Sequence, residues 1–475
     1  MRKILGVVFA LIMVSVVVVP VQAQGPSSYE STVNITNLTA TPGNITLTYY
    51  NPNGSIEATS SDTIAAYETK WYTTLPGLTA SFQGSMVISS SVPLGSMSTV
   101  IGKDGADNPM NYASYVGTST GAGIVYLPLL MDSNYGFNTY YSVQNISSSP
   151  VDVAIVYSDG LGVSPITSLQ PNASVTIDNQ AEAHVAKKFS AILTATGNIA
   201  VAVVQWADGT YGKPLLSYNG FDAGLTNPIL PMVNENNYGY WTAIPVQNLG
   251  GTATSVTISY TPTKAGAACT ETITIPAYGQ VEFGSYAFVF DYNIGAPPYT
   301  GMSSTCARGD KFVGSGVVTG NSTSQLLVGL INQTTTILPG SDKGGTLMAI
   351  NPGDVTDTVI FPDVRQWHGT YNWWTSITII NLSGGSLPIG DVSCHAVGTD
   401  PGGAVDMYYS NTAAIPDGAG WITDLYDGWG PMANGFVGGV VCVSATGVIA
   451  GTANTLGHTA PADMDTYAIY EGINQ

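Results

Sequence analysis

Charged residues are scarce in this sequence. They make up 9% of its 475 residues, and 12 basic side chains against 31 acidic ones leave a formal net charge of −19. A sparse, acidic surface repels phosphate groups, which disfavours nucleic acid and anionic lipid as partners. Few charges do not make this a disordered chain, because disordered chains are poor in hydrophobic residues. Here 44% of the residues are hydrophobic, and 27 tyrosines are available to fill cores. We therefore expect a folded protein with several domains.

Familiar catalytic and metal-binding motifs are also missing. The chain has no H-E-x-x-H, no phosphate-binding loop and no EF-hand loop, and its glycine-rich stretch at 117–123 lacks the lysine of a phosphate site and is interpreted as a linker. The four histidines have no histidine or cysteine at metal-ligand spacing, apart from the adjacent Cys394 and His395, which point to opposite faces of a strand. We predict that the protein is not an enzyme. A secreted hydrolase whose fold brings two carboxylates together stays as a weaker alternative.

Cysteine occurs only four times, and no two cysteines form a C-x-x-C pair. In an exported chain this number favours disulfides over a metal site. The spacing favours local pairing, Cys269 with Cys306 and Cys394 with Cys442, while three connectivities stay open from the sequence alone.

One long apolar run is present, at the N-terminus. It extends from Ile4 to Val19 behind a basic start and is followed by small residues up to Ala23. This order predicts a secretory signal at 1–23, and a retained membrane anchor is the alternative. No later stretch is long and apolar enough to cross a bilayer, so we expect a mature chain without a transmembrane segment, secreted or held at the cell surface.

A repeated cassette is what the sequence does contain. The stretch "YGFNTYYSVQN" begins at Tyr135, and "YGYWTAIPVQN" begins at Tyr238. A Tyr-x-Gly motif and a Leu-Pro pair precede both stretches, and every one of these landmarks is displaced by 103 residues. The match is therefore collinear, which shared composition alone does not produce.

Weaker copies extend the repeat over the chain after the leader. Four times a hydroxyl residue stands six places before an asparagine, and a phenylalanine follows. The four copies predict modules at 27–117, 118–220, 221–350 and 351–475, of which the last two carry insertions. The hydroxyl and asparagine residues are Ser31 and Asn37, Thr139 and Asn145, Thr242 and Asn248, and Thr375 and Asn381, and the phenylalanines are Phe82, Phe189, Phe312 and Phe436.

The repeated segments have the composition of strands. "TYYSVQN" and "SITIIN" are rich in Val, Ile, Thr and Tyr, and runs such as "VDVAIVYSD" alternate with period two. Turn signals recur at short intervals, which is typical of β-sandwiches. We predict an all-β fold of four tandem immunoglobulin-like antiparallel β-sandwiches in a rod-like row. Each repeat asparagine is expected to turn one strand into the next, and "NQAEAHVAKKF" is the sole candidate for a helical turn.

The order Leu-Pro, aromatic-Gly, Thr-x5-Asn and F-x-G-x-x-x-V-S resembles the tandem sandwich repeats of large secreted or surface-layer proteins of filamentous bacteria. The resemblance covers modules 2 to 4 well and module 1 in part. It implies an extracellular protein built of sandwiches, and it brings no catalytic residues that could be transferred to this chain.

Candidate interaction sites lie in module 4 and at the module ends. The cluster "WHGTYNWW" offers Trp367, Trp373 and Trp374 as a glycan-binding face, although the same position is aromatic in modules 2 and 3, which favours packing. Acidic residues at 354–358 and 463–466 keep calcium at the module junctions as an alternative to having no cofactor. The Tyr-x-Gly motif marks the repeat junctions, at Tyr115 and Gly117, Tyr218 and Gly220, and Tyr470 and Gly472.

The last copy of this junction motif falls close to the C-terminus. We therefore expect module 4 to meet the first module of a second molecule, head to tail, as heterologous contacts do in filaments. The leading hypothesis is a secreted structural protein of the cell surface, such as a subunit of a layer, sheath or filament. The alternative is a carbohydrate-binding or adhesion protein that uses the module 4 aromatic cluster on cell-surface glycans.

Overall fold

The computed structural model describes residues 8–12, 26–79, 82–207, 214–288, 300–322, 324–335, 343–424, 433–459 and 464–474. These residues form antiparallel sheets packed as sandwiches, so the all-β prediction is confirmed. Helical turns in the described chain are limited to a 3-10 turn at Asn179–Ala181, inside the segment expected to hold one, and to α1 (Ser285–Phe288). No helix among these residues has the length and apolarity needed to span a bilayer.

The four modules share one strand order. In each, the first, sixth, third and fourth strands form one sheet, and the fifth, second, seventh and eighth strands form the facing sheet. Module 1 contains β1 (Val8–Ile12), β2 (Ser28–Asn37), β3 (Gly43–Tyr50), β4 (Ile56–Ile64), β5 (Thr69–Tyr72), β6 (Ser85–Ser90), β7 (Leu94–Lys103) and β8 (Pro109–Val116). Its first strand therefore lies inside the predicted signal.

In module 2 one long strand serves both sheets, as the sixth strand in its first half and as the seventh in its second half. The strands are β9 (Ala122–Met131), β10 (Phe137–Asn145), β11 (Val151–Tyr157), β12 (Ile166–Leu169), β13 (Ser174–Asp178), β14 (Lys188–Ala207) and β15 (Leu215–Asn219).

Modules 3 and 4 each add one short strand to the shared order. Module 3 contains β16 (Ile229–Glu235), β17 (Tyr240–Asn248), β18 (Thr254–Ala265), β19 (Cys269–Ile275), β20 (Gln280–Phe283), the added β21 (Ser303–Ser304), β22 (Phe312–Thr319), β23 (Leu327–Thr335) and β24 (Gly344–Met348). Module 4 contains β25 (Thr358–Gln366), β26 (Trp373–Asn381), β27 (Val392–Asp400), β28 (Gly403–Ser410), β29 (Gly420–Asp424), β30 (Phe436–Ser444), β31 (Ile449–Gly457), β32 (Tyr467–Glu471) and the added β33 (Ile473–Asn474).

Each repeat asparagine ends a second strand and ties its turn to a distant loop. Asn145 Nδ2 donates to Ser149 O and Leu169 O, both at 2.8 Å, and its Oδ1 accepts from Ser147 N at 2.7 Å. Asn37, Asn248 and Asn381 repeat this pattern, and all four side chains are buried. An amide both donates and accepts, which explains why asparagine recurs here.

The modules do not lie in a row. The eighth strands meet around one axis, β8 against β15, β15 against β24, β24 against β32 and β32 against β8, so the four modules close into a ring. The rod-like arrangement expected from the repeat is therefore wrong. Glycine permits the close approach of two of these strands, because a Cβ on Gly345 would lie 2.8 Å from Ile469 Cγ1.

Asp465 lies where the modules meet. Its side chain is buried, with Oδ2 accepting from Leu215 N of module 2 at 3.0 Å and Oδ1 accepting from Gly344 N of module 3 at 3.1 Å. Its own N–H donates to Met110 O of module 1 at 2.9 Å. Burial raises the pKa of this carboxyl, while the N–H donors and the charge of Lys343 oppose the rise. Module 4 thus meets module 1 within one chain.

The tyrosines of the junction motif point into modules 2 and 4 and hold their first strands. Tyr218 Oη donates to Leu129 O at 2.5 Å, and Tyr470 Oη donates to Asp363 O at 2.6 Å. Both acceptors directly follow the proline of a first strand. A Cβ on Gly220 would lie 2.3 Å from a valine methyl of that strand, which explains the glycine of the motif. The motif is a packing device inside a module.

Removing the Tyr470 hydroxyl should destabilise module 4. Tyr470→Phe leaves Asp363 O without its donor, so we expect the free energy of unfolding to fall by about 1–2 kcal/mol. Tyr115→Phe is the matched control, because Tyr115 Oη makes no hydrogen bond of normal geometry within the described chain. Chemical denaturation should show no loss for Tyr115→Phe, and equal losses for both variants would contradict the assignment.

Both disulfides pair as the spacing suggested. Cys269 and Cys306 are joined at 2.10 Å and tether the inserted loop of module 3. Cys394 and Cys442 are joined at 2.05 Å and are buried. They face each other on the neighbouring strands β27 and β30, so this bridge links two strands of one sheet.

Candidate functional site

The turns between first and second strands hold tyrosines in an unusual backbone conformation. Tyr135 and Tyr238 have φ values of 50° and 53°, in the left-handed region that bulky residues rarely adopt. Tyr238 is 89% exposed and Tyr135 is 66% exposed. Exposed aromatic rings in strained turns are candidates for contact with a partner or ligand.

Tyr238 lines a cavity of about 590 Å³ between modules 3 and 4. One wall is the outer face of the β26, β29 and β31 sheet, and the other is formed by β16, β18 and β22. Alternation along β26 and β31 gives every second side chain to the cavity and the intervening ones to the core of module 4. The module 4 wall is Trp374, Ser376, Thr378, Ile422, Asn454, Leu456, His458 and Tyr467, and the module 3 wall includes Met232, Asn234, Asn237, Tyr240, Thr263, Lys264, Val313 and Gly314.

Amide oxygens in this wall are left without hydrogen bonds. Asn234 Oδ1, Asn237 Oδ1 and Asn454 Oδ1 are buried and have no partner among the described residues. The other amide atom of Asn454, Nδ2, donates only to the weak acceptor Met232 Sδ, at 3.2 Å. Leaving a buried acceptor unpaired costs about 1–3 kcal/mol, and all three of these asparagines belong to the residues that line the cavity.

The cavity also combines aromatic surface with positive charge. Trp374 is half-buried in the wall, and Tyr238 stands at the mouth with Lys311 Nζ 5.1 Å from its ring centre. Lys264 is exposed on the module 3 side. Two lysines at one opening are notable in a chain with only 12 basic residues, and they favour a ligand with a negative group.

The three tryptophans of the predicted glycan face are separated in the structure. Trp373 is 7% exposed, in the seam with module 1, where its ring centre lies 5.1 Å from that of Tyr112. Trp374 faces the cavity, and Trp367 packs edge-on against His458 at 4.9 Å, at the cavity's margin. The trio therefore forms no common exposed face, and Trp374 is the member that lines the cavity.

The densest network of titratable groups lies elsewhere, in module 2. His184 Nδ1 contacts Asp159 Oδ2 at 3.1 Å, and its Nε2 contacts Glu182 Oε2 at 3.0 Å. Tyr157 Oη donates to the same Glu182 oxygen at 2.9 Å. His184 is therefore held between two carboxylates, a placement that the spacing of the histidines in the sequence does not reveal. All these groups are paired with one another, which is typical of a network that anchors a loop.

The buried carboxyls of module 3 lie outside the cavity wall. Glu235 Oε1 accepts from Thr242 N at 3.0 Å, and Glu271 Oε2 accepts from Tyr260 Oη at 3.0 Å and from Gly284 N at 2.8 Å. Burial raises the pKa of both, to about 7 for Glu271. Neither belongs to the residues that line the cavity.

One catalytic-looking spacing was missed in the sequence. Residues 117–121 read G-T-S-T-G, the spacing of a serine hydrolase elbow around Ser119. The segment links β8 to β9 and so leads from strand to strand, whereas the hydrolase elbow leads from a strand into a helix. The linker interpretation fits this placement better.

The acidic residues considered for calcium have other hydrogen-bond partners where the structure describes them. Asp465 is occupied by backbone N–H groups, Asp354 Oδ2 accepts from Asn351 Nδ2 at 3.1 Å, and Asp463 lies outside the described residues. Within the described ranges no group of three or more His, Cys, Asp or Glu side chains is arranged to hold a metal ion.

Comparison with known proteins identifies no relative from which site residues could be transferred. No protein-family model matches the chain, and a search of curated proteins finds no similar sequence.

Proposed function

We propose that this chain is a secreted, non-enzymatic protein of the cell surface that binds a short saccharide between modules 3 and 4. The observation that carries the proposal is the cavity wall, which combines the amide side chains of Asn234, Asn237 and Asn454 with the rings of Trp374 and Tyr238. Sugar hydroxyls form hydrogen bonds with amide groups, while an aromatic ring packs against the apolar face of a sugar ring. Lys264 and Lys311 favour a sugar with a carboxylate or sulfate group.

The proposed location is supported by composition and cross-links. Two disulfides are compatible with an oxidising compartment, and the N-terminal apolar run has the order of a secretory signal. A structural role in a surface layer, sheath or filament is the second candidate. Module 4 meets module 1 in its own chain, so such an assembly would need a contact other than the head-to-tail one.

A glycan array probed with the mature protein tests saccharide binding. We expect binding to acidic oligosaccharides, weakened tenfold or more by Tyr238→Ala or Trp374→Ala, because each removes one ring from the cavity. Tyr135→Ala is the matched control, since Tyr135 occupies the same strained turn in module 2 and does not line the cavity. Absence of binding on the array, or binding that survives both cavity variants, would contradict the proposal.

A further inference from the structure

Module 1 differs from the others in the origin of its first strand. In modules 2 to 4 a short turn joins the first strand to the second, whereas 15 residues separate β1 from β2. β1 runs antiparallel to β6, with Val8 opposite Ser90 and Ile12 opposite Met86. This strand lies within 1–23, so cleavage after Ala23 would remove the partner of β6.

Hydroxyl groups show that module 1 has no complete first strand of its own. Thr139 Oγ1 accepts from Met131 N at 2.9 Å, and Thr375 Oγ1 accepts from Arg365 N at 3.0 Å, so both repeat threonines bond the first strand of their module. The counterpart in module 1 is Ser31, whose buried Oγ has no partner in the described chain.

The eighth strand of module 1 also indicates that this module has no complete first strand. Tyr218 and Tyr470 donate to first-strand carbonyls, but Tyr115 Oη is buried without a hydrogen bond of normal geometry in the described structure. It faces Ser98 across the strand pair, and that hydroxyl is unpaired as well. Ser31 and Tyr115 thus occupy positions whose side chains bond the first strand in other modules, and neither makes such a bond in module 1.

Without β1, the edge strand β6 is unprotected. Its sequence, "SMVISS", contains no charged residue and no proline, the two devices that natural proteins use to stop edge strands from pairing. Its other edge is already paired with β3 from Ser85 to Ser90. The free edge therefore offers a row of backbone donors and acceptors that suits another strand.

We propose that the mature protein pairs β6 with β6 of a second copy. A two-fold axis makes the two strands antiparallel, which is the direction β1 takes beside β6, and their six residues cover the five that β1 pairs. The two sheets then continue as one, in the order β4, β3, β6 and its two-fold copies. This inference rests on the proposed secretion, because removal of the leader opens the edge.

The secreted product of the full-length gene tests the pairing. Intact mass should place its N-terminus at Gln24, and sedimentation equilibrium should show a dimer. Ser89→Lys places a charge on β6, so we expect the dimer dissociation constant to rise at least tenfold. Thr46→Lys is the matched control, because Thr46 pairs with Ser89 but lies on β3, an inner strand. It should leave the constant unchanged and confirm that module 1 tolerates the charge.

Hydrogen exchange provides a second measurement on the same samples. The β6 amides should be protected in the dimer and should exchange faster in Ser89→Lys, while the β3 amides stay protected in both. A monomer at high concentration, a mass that retains the leader, or a dimer indifferent to Ser89→Lys would overturn the proposal. Saccharide binding measured in parallel keeps the two proposals separate, since the cavity lies between modules 3 and 4.

Discussion

Replacing Asp465 with alanine should lower the free energy of unfolding by about 4 kcal/mol, among the largest effects expected of any single substitution in this chain. The carboxyl is buried and accepts one N–H from module 2 and one from module 3. Alanine leaves both donors, Leu215 N and Gly344 N, buried without an acceptor, and each buried donor left unpaired costs about 1–3 kcal/mol.

Because Asp465 bonds residues of modules 2 and 3, the loss of stability should arise at the contacts between modules, not within the module cores. Chemical denaturation gives the size of the effect, and hydrogen exchange should show the Leu215 and Gly344 amides opening before the module cores do. Asp354→Ala is the control, an exposed aspartate expected to change stability by no more than about 0.5 kcal/mol. Equal stability for Asp465→Ala and the parent would contradict the closed ring.

Raising the pH from about 4 to 8 should remove about 3 kcal/mol of stability through Glu271 alone. Burial raises the pKa of this carboxyl from 4.5 to about 7. Its neutral form is therefore favoured in the folded state, so its contribution is fully present below pH 4.5 and is lost as the pH rises through 7.

Glu271→Gln isolates this contribution from those of other buried acids. Glutamine keeps one carbonyl oxygen for the two donors, Tyr260 Oη and Gly284 N, and does not ionise. Denaturation at several pH values should give a stability change between pH 4 and 8 that is smaller by about 3 kcal/mol in the variant. Parallel pH profiles for the two proteins would show that Glu271 does not titrate in this range.

Local signals in the sequence were enough to predict the all-β fold and its disulfides. The repeat asparagines mark turns because each makes the same local bonds, and the cysteines pair between segments close along the chain. Period-two alternation likewise identifies strands without reference to other modules. Structural features that depend on contacts within one module can therefore be predicted from the sequence.

The ring could not be predicted in the same way. It depends on the outer faces of the eighth strands, where Gly345 permits close approach to Ile469 and Asp465 bonds backbone N–H groups. In the sequence this glycine looks like part of a loop, and a backbone donor has no sequence signature. The separation of Trp373 from Trp374 follows from strand alternation, which sends neighbouring side chains to opposite faces. The cluster looked like one site because its residues are adjacent in sequence.

The most direct test of saccharide binding is a crystal structure of the mature protein soaked with the best oligosaccharide from the array. Density for a sugar ring should lie between modules 3 and 4, packed on Trp374 and within hydrogen-bond distance of Asn234 and Asn454. Density confined to another surface, with the two amide oxygens still unpaired, would contradict the assignment of this cavity as the binding site.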